Sequence, residues 1–160
     1  MPTIHRTDRG EALPIVAFAV SALVLVAGAT FDGGYGYAQR GQMQSAADVA
    51  AMAGTRIVGQ KLTGRPIDAA TAANVQGAIE HILTANDAEL VTATFVDDTG
   101  RELTDVVTAD AIPETASGVV VEARSHWRPI FIGLISDDGW LTTTSATALS
   151  DVTGAVHLLP

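Results

Sequence analysis

The stretch Ala12-Leu13-Pro14-Ile15-Val16-Ala17-Phe18-Ala19-Val20-Ser21-Ala22-Leu23-Val24-Leu25-Val26-Ala27-Gly28-Ala29-Thr30-Phe31 decides how this chain is read. It runs for 20 residues without one ionisable side chain. As a helix rising 1.5 Å per residue it is about 30 Å long, the thickness of a bilayer's hydrocarbon core. The rival reading is a buried core helix. A helix apolar on every side needs more protein around it than a chain of 160 residues supplies. We read residues 11–31 as a transmembrane helix and residues 1–10 as its tail.

The flanks give the orientation. Arg6 and Arg9 precede the stretch, Asp32 stands at its exit, and the next basic residue is Arg40. Lys and Arg favour the cytoplasmic side, so the expected topology is single-pass in the cytoplasmic membrane. The N-terminus is then inside and the remainder extracytoplasmic. A cleaved signal peptide competes with this anchor, because Ala27-Gly28-Ala29 has the small-x-small form of a cleavage site. The apolar stretch is longer than the 7–15 residues of a signal core, which favours the anchor.

Outside the stretch the chain reads as one folded unit. Hydrophobic residues make up 48% and charged residues 17%, a balance that excludes a disordered chain. Nine basic against 18 acidic residues leave a net charge of -9, so no basic face is on offer and nucleic acid is not an expected partner. Cysteine is absent, which removes disulfides, thiolate zinc sites and cysteine nucleophiles together.

Residues 32–60 read as a helical extension rich in small residues. Met43, Ala46, Ala47, Ala50, Gly54, Ile57 and Val58 recur at steps of three and four, giving an amphipathic stripe of alanine and glycine. Small side chains let another backbone come close, so Met43, Ala46, Ala47, Ala50, Gly54 and Ile57 are the expected packing and assembly residues. Gly33, Gly34 and Gly36 each lower helix propensity by about 1 kcal/mol relative to alanine. Two readings stay open here: one unbroken helix from Glu11 to about Gly59, on the order of 70 Å long, or two helices divided at the glycines. Tyr35 and Tyr37 flank that point, where rings sit among headgroups. Together with Arg9, Glu11 and Asp32 they mark the expected membrane boundary, Glu11 and Asp32 reaching water there.

These residues carry a resemblance. Arg9-Gly10, the apolar span to Phe31, Asp32-Gly33-Gly34, Arg40 and the run Met43 to Gly54 resemble the N-terminal segment of TadE/TadG-like proteins. That segment has a glycine after basic residues, an apolar span, an Asp-x-Gly exit and a Leu-Gln-x-Ala-Ala-Asp type helix. The likeness covers about residues 9–58. It implies a component of the tight-adherence (Flp-type) pilus apparatus: a membrane-anchored, pilin-like protein with an extracytoplasmic domain. A prepilin leader is cut after a glycine and has a glutamate five positions into the mature chain. After Gly10 that position holds Ile15, so the leader pattern is not met and the resemblance favours an unprocessed, TadG-like protein.

Residues 61–160 read as an extracytoplasmic α+β head. Thr63-Gly64-Arg65-Pro66 breaks the chain. Ala72, Val75, Ala78, Ile79, Ile82 and Leu83 then predict a second helix over about Ile67 to Ala85, with Asp68 in its first turn and Asn86-Asp87 ending it. The period changes to two from Leu90 to Asp97, a strand, and Asp97-Asp98-Thr99-Gly100 is a turn. Further strands are expected near Glu102–Val107, Val119–Trp127 and Trp140–Leu149, joined as antiparallel hairpins. Pro129 to Ile135 is expected to pack on the sheet as a loop or short helix, before a turn at Ser136-Asp137-Asp138-Gly139. The fold class is therefore α+β and pilin-like: a long N-terminal helix, a second helix and a small antiparallel sheet.

The search for chemistry yields no catalytic, metal-binding or cofactor residue. His5, His81, His126 and His157 lie at no metal-like spacing. Asp97-Asp98 and Asp137-Asp138 would make a calcium site only if the two turns met, and ordinary turn chemistry explains them first. Phosphate loops and nucleophile elbows are missing. Trp127 and Trp140 are expected as core or cross-strand anchors, or as a contact on an assembly surface. The expected partners are membrane lipid and other subunits, either copies of this chain or other members of a pilus or membrane complex.

Overall fold

The computed structural model describes residues 12–62, 71–134, 138–150 and 155–159. Their contacts divide the chain into two compact units. The first draws on residues 1–37 and 128–139, the second on residues 38–127 and 140–160. Helix α1 spans Ala12–Leu62, so the division falls within it, after Tyr37. Of the two readings open at the glycines, the unbroken helix holds: Gly33, Gly34 and Gly36 lie inside α1.

In the first unit the helix turns large apolar side chains outward. Leu13, Ile15, Val16, Phe18, Val20, Leu23, Val24, Leu25 and Val26 are all more than half exposed. By length and composition α1 is long and apolar enough to cross a membrane.

The second unit is built around a five-stranded antiparallel sheet of order β2-β1-β3-β4-β5. Its strands are β1 (Glu89–Val96), β2 (Glu102–Asp105), β3 (Gly118–Trp127), β4 (Trp140–Ser150) and β5 (Val156–Leu158). Alternation along β3 sends Val119, Val121 and Ala123 inward, where they join Phe95, the α1 stripe and helix α2 (Ala72–Thr84) in one core. Val75, Ile79 and Leu83 of α2 are fully buried there, each contributing about 1.5–3 kcal/mol over the exposed state. The expected α+β architecture is present, with helices, strands and hairpins near the positions their periodicities predict.

Several boundaries differ, each for a local reason. Helix α2 starts at Ala72, not Ile67, because Thr71 is extended and caps it, its side chain accepting from the Asn74 amide at 3.2 Å. The predicted break at 63–66 and Asp68 lie outside the described residues. Asp87 takes a positive φ of 53° and closes the helix, a conformation aspartate tolerates better than most residues. Strand β2 stops at Asp105 because that carboxylate accepts from the amides of Val107 (2.7 Å) and Thr108 (3.1 Å), turning the chain. Strand β1 carries a register shift between Leu90 and Thr92. The shift reverses the parity of the strand, so Leu90 joins the core along with Ala93 and Phe95 while Val91 is left exposed. Edge strand β5 was not predicted. The largest departure concerns Pro129 to Ile135. Ile132–Leu134 form a single 3-10 turn, as a short helix was expected, yet the segment groups with residues of the first unit and not with the sheet. Ile135, Ser136 and Asp137 lie outside the described residues.

Candidate membrane-boundary site

In the first unit, chemistry gathers at Asp32. The sequence predicted a carboxylate reaching water at the membrane exit. The structure corrects this: Asp32 is 1% exposed. Its Oδ1 accepts from the backbone amides of Ile130 (2.8 Å) and Phe131 (3.1 Å), and its Oδ2 from those of Phe131 (3.0 Å) and Ile132 (2.7 Å). Three consecutive N–H dipoles thus converge on one carboxylate, an anion nest made by the loop and filled by the helix. Water is not needed to solvate the charge.

The side chains beside it complete the clasp. Phe131 lies across α1 at Gly28, where an added Cβ would come within 2.9 Å of Phe131 Cβ and Cγ. Its ring meets Phe31 edge-to-face at a centroid distance of 5.8 Å. Glycine is therefore required at position 28, whereas Gly33 and Gly34 face open space. Next to Phe131 is an apolar cleft of about 370 Å³ lined by Val24, Leu25, Gly28, Ala29, Phe131, Ile132 and Leu134. Nothing in the local sequence around Asp32 announces a partner about 98 residues away. Of the other predicted boundary residues, Tyr35 and Tyr37 are exposed on α1, and Arg9 and Glu11 lie outside the described residues.

The predicted packing residues sit in the second unit. Met43, Ala46, Ala47, Ala50 and Gly54 are buried and Ile57 is half-buried, packed inside the chain's own head. A Cβ on Gly54 would stand 3.0 Å from Ile79 Cδ1 and 3.3 Å from Val75 Cγ1, so the small residue sets how closely α1 and α2 approach. The stripe also carries Thr55, which sequence reasoning missed. Its Oγ1 donates to the Ala148 carbonyl (3.0 Å) and accepts from the Val119 amide (3.1 Å), bridging paired residues of β3 and β4. A hydroxyl four residues after Ala51 on an apolar face was the available signal. Gln44 fastens the outer edge of the same face, donating to the Ser145 carbonyl at 3.1 Å and accepting from the Thr144 hydroxyl. In the last turn of α1, Lys61 donates from Nζ to the Ile112 carbonyl at 2.8 Å.

The remaining candidates resolve into structural roles. Asp97 Oδ1 accepts from the Thr99 amide (2.9 Å), the Thr99 hydroxyl (2.6 Å) and the Arg101 amide (3.0 Å), while Gly100 supplies the positive φ of 82°. The Thr99 hydroxyl, then the Arg101 amide, hold the Asp97 carboxyl below its usual range against the opposing pull of burial. This is turn chemistry, and Asp137 of the second aspartate pair lies outside the described residues. Among the described residues, no group of three or more His, Asp or Glu side chains gathers as a metal site. Trp127 and Trp140 are cross-strand partners, rings edge-to-face at 5.3 Å, with Trp127 Nε1 donating to Thr142 Oγ1 at 3.1 Å. Trp127 is buried and Trp140 is 45% exposed.

Comparison with curated proteins gives no match, and comparison with solved structures gives none. A protein-family model does match. It covers residues 10–74, which take in the apolar span, the whole of α1 and the start of α2, and it is described as putative Flp pilus-assembly TadE/G-like, so this part of the chain is similar to a pilus-assembly family.

Proposed function

We propose that this chain is a structural, non-enzymatic component of a Tad/Flp-type pilus or a related surface filament, anchored by residues 12–31 and associating with copies of itself through that segment. The N-terminus lies in the cytoplasm and residues 32–160 outside it, with lipid around the span before assembly. One observation carries this reading. A single helix exposes large apolar side chains all along residues 13–26, while its stripe from Met43 to Val58 is buried in a folded head. A soluble protein would have to cover the first part, and a membrane or neighbouring subunits cover it instead. The family match over residues 10–74 supports placing the chain in a pilus apparatus.

A second reading has its own support: an accessory single-pass subunit of another membrane complex. The small-residue stripe is consumed inside the head, which leaves less of α1 for contact between copies. Cross-linking separates the two. The chain contains no cysteine, so Phe18→Cys introduces a unique thiol on the exposed span. Ladders of this chain after thiol cross-linking in native membranes support the filament subunit, and cross-links to unlike chains alone support the accessory subunit. Mass spectrometry of the mature N-terminus accompanies it. A start at Thr30 eliminates the anchor, and a start at Glu11 restores pilin-type processing.

A further inference from the structure

We infer that the loop from Arg128 to Leu134 is a second membrane element, a wedge inserted beside the last two turns of the span, with lipid acyl chains covering its apolar side. The inference rests on the reading that residues 12–31 cross a bilayer.

Length makes the first step. The apolar segment has 20 residues and reaches about 30 Å, which is just enough to cross. The cleft beside the loop is lined by Val24, Leu25, Gly28 and Ala29, and Phe131 also meets Phe31. If residues 24–31 stood in water, keeping the loop out of the membrane, only 12 residues would remain, about 18 Å of helix and too short to span. Residues 24–31 therefore lie within the membrane, and so does whatever packs on them.

The loop's own chemistry agrees. Leu134 is 82% exposed, Ile130 52% and Phe131 39%, a set of large apolar side chains turned outward within five residues. Non-helical backbone survives at membrane depth only where its polar groups have partners. The amides of Ile130, Phe131 and Ile132 all have one, the carboxylate of Asp32, and the Leu134 amide bonds to the Phe131 carbonyl at 3.2 Å. Asp32 is thus the group that lets an irregular loop enter hydrocarbon, and the three amides in turn let an aspartate stand at the end of the span. Arg128 and Asp138 bracket the apolar tip with charge, as a loop that dips and returns requires.

The test uses the full chain in phosphatidylcholine–phosphatidylglycerol vesicles, labelled with one environment-sensitive fluorophore at Leu134→Cys, Val20→Cys or Asp98→Cys. Quenching is measured with acyl-chain-brominated lipid and with aqueous iodide. The expected result is that position 134 behaves like position 20, quenched by brominated lipid and several-fold less sensitive to iodide than position 98. Iodide quenching at 134 as strong as at 98, with 20 still in lipid, overturns the inference and leaves the span standing. Iodide quenching at both 134 and 20 removes the span as well. Protection of 134 from both quenchers overturns the inference in favour of a second copy covering the loop. Asp32→Ala in the Leu134→Cys background is expected to raise iodide quenching several-fold, and an unchanged value overturns the role given to Asp32.

Discussion

Replacing Thr55 by valine tests whether the small-residue face of α1 belongs to the chain's own core. Thr55 is fully buried, and its hydroxyl serves both the Val119 amide and the Ala148 carbonyl. Valine has the same shape and removes only the hydroxyl, leaving a donor and an acceptor in the core each short of a partner. Each such group costs about 1–3 kcal/mol. The two together cost about 2–6 kcal/mol and the extra methyl returns up to about 1 kcal/mol, so Thr55→Val should lose about 1–6 kcal/mol. That is a large share of the about 5–15 kcal/mol that holds a typical domain. The serine variant keeps the hydroxyl and loses one methyl, for about 1 kcal/mol. The assay is urea unfolding of the full chain in detergent micelles, followed by the fluorescence of Trp127 and Trp140, which meet across β3 and β4 in the same unit. With a urea slope of about 2 kcal/mol per molar, the midpoint should fall by about 0.5–3 M for valine and about 0.5 M for serine. A valine variant as stable as the parent, or a serine variant less stable than valine, would falsify the bridge. If the face were instead free for contact between copies, both variants would alter association and leave the midpoint where it was.

The same assay reads Gly118→Ala: the added Cβ would sit 2.0 Å from the Ala148 carbonyl oxygen, so β3 and β4 must part, at a cost of about 1–3 kcal/mol or more. Gly77→Ala, on α2 with open space around it, should instead gain up to about 1 kcal/mol, and equal effects at the two glycines would refute the close approach at 118. Asp97 has a folded pKa below its unfolded value, so its contribution is full above the unfolded pKa and disappears as pH falls through the lower, folded one. The stability difference between the parent and Asp97→Asn should be constant near neutral pH and shrink once the pH is below about 4; a difference that grows on acidification contradicts the assignment. Gly28→Leu should push Phe131 off α1 and speed hydrogen exchange at the Ile130, Phe131 and Ile132 amides, and unchanged protection there would show that the ring does not hold the loop.

The parts of the fold written in the sequence are those that local periodicity controls. The uncharged run Ala12 to Phe31, the stripe from Met43 to Val58 and the alternation from Leu90 to Val96 each give their element's type directly, although the register shift in β1 changes which of its residues face the core. What stayed hidden depends on partners distant in sequence. Thr55 looks like one polar interruption in a helix until Val119 and Ala148 are set beside it. Asp32 looks like a solvated boundary charge until residues 130–132 return to it. Pro129 to Ile135 is apolar enough for any buried surface, and its composition alone cannot say whether that surface is a sheet or a helix. Strand β5 is three residues long, too short for alternation to register.

These hidden contacts bear on where a second copy would dock. Alanine and glycine at helical spacing permit close packing without naming the partner, and here α2 and the sheet take up the stripe. Association through it would require the head to open, exposing Val58, Val75 and Ile79 at about 1.5–3 kcal/mol each. The span carries no such cost. Leu13, Ile15, Val16, Phe18, Val20 and Leu23 are already exposed, and exchanging lipid for a sister helix leaves them in apolar surroundings. Near the exit, Phe131 occupies one side of α1 at Gly28, so on the filament reading copies meet deeper in the membrane, nearer Phe18 than Phe31. A thiol at Phe18 should therefore cross-link copies readily, and one at Ala50, sealed in the head, should not.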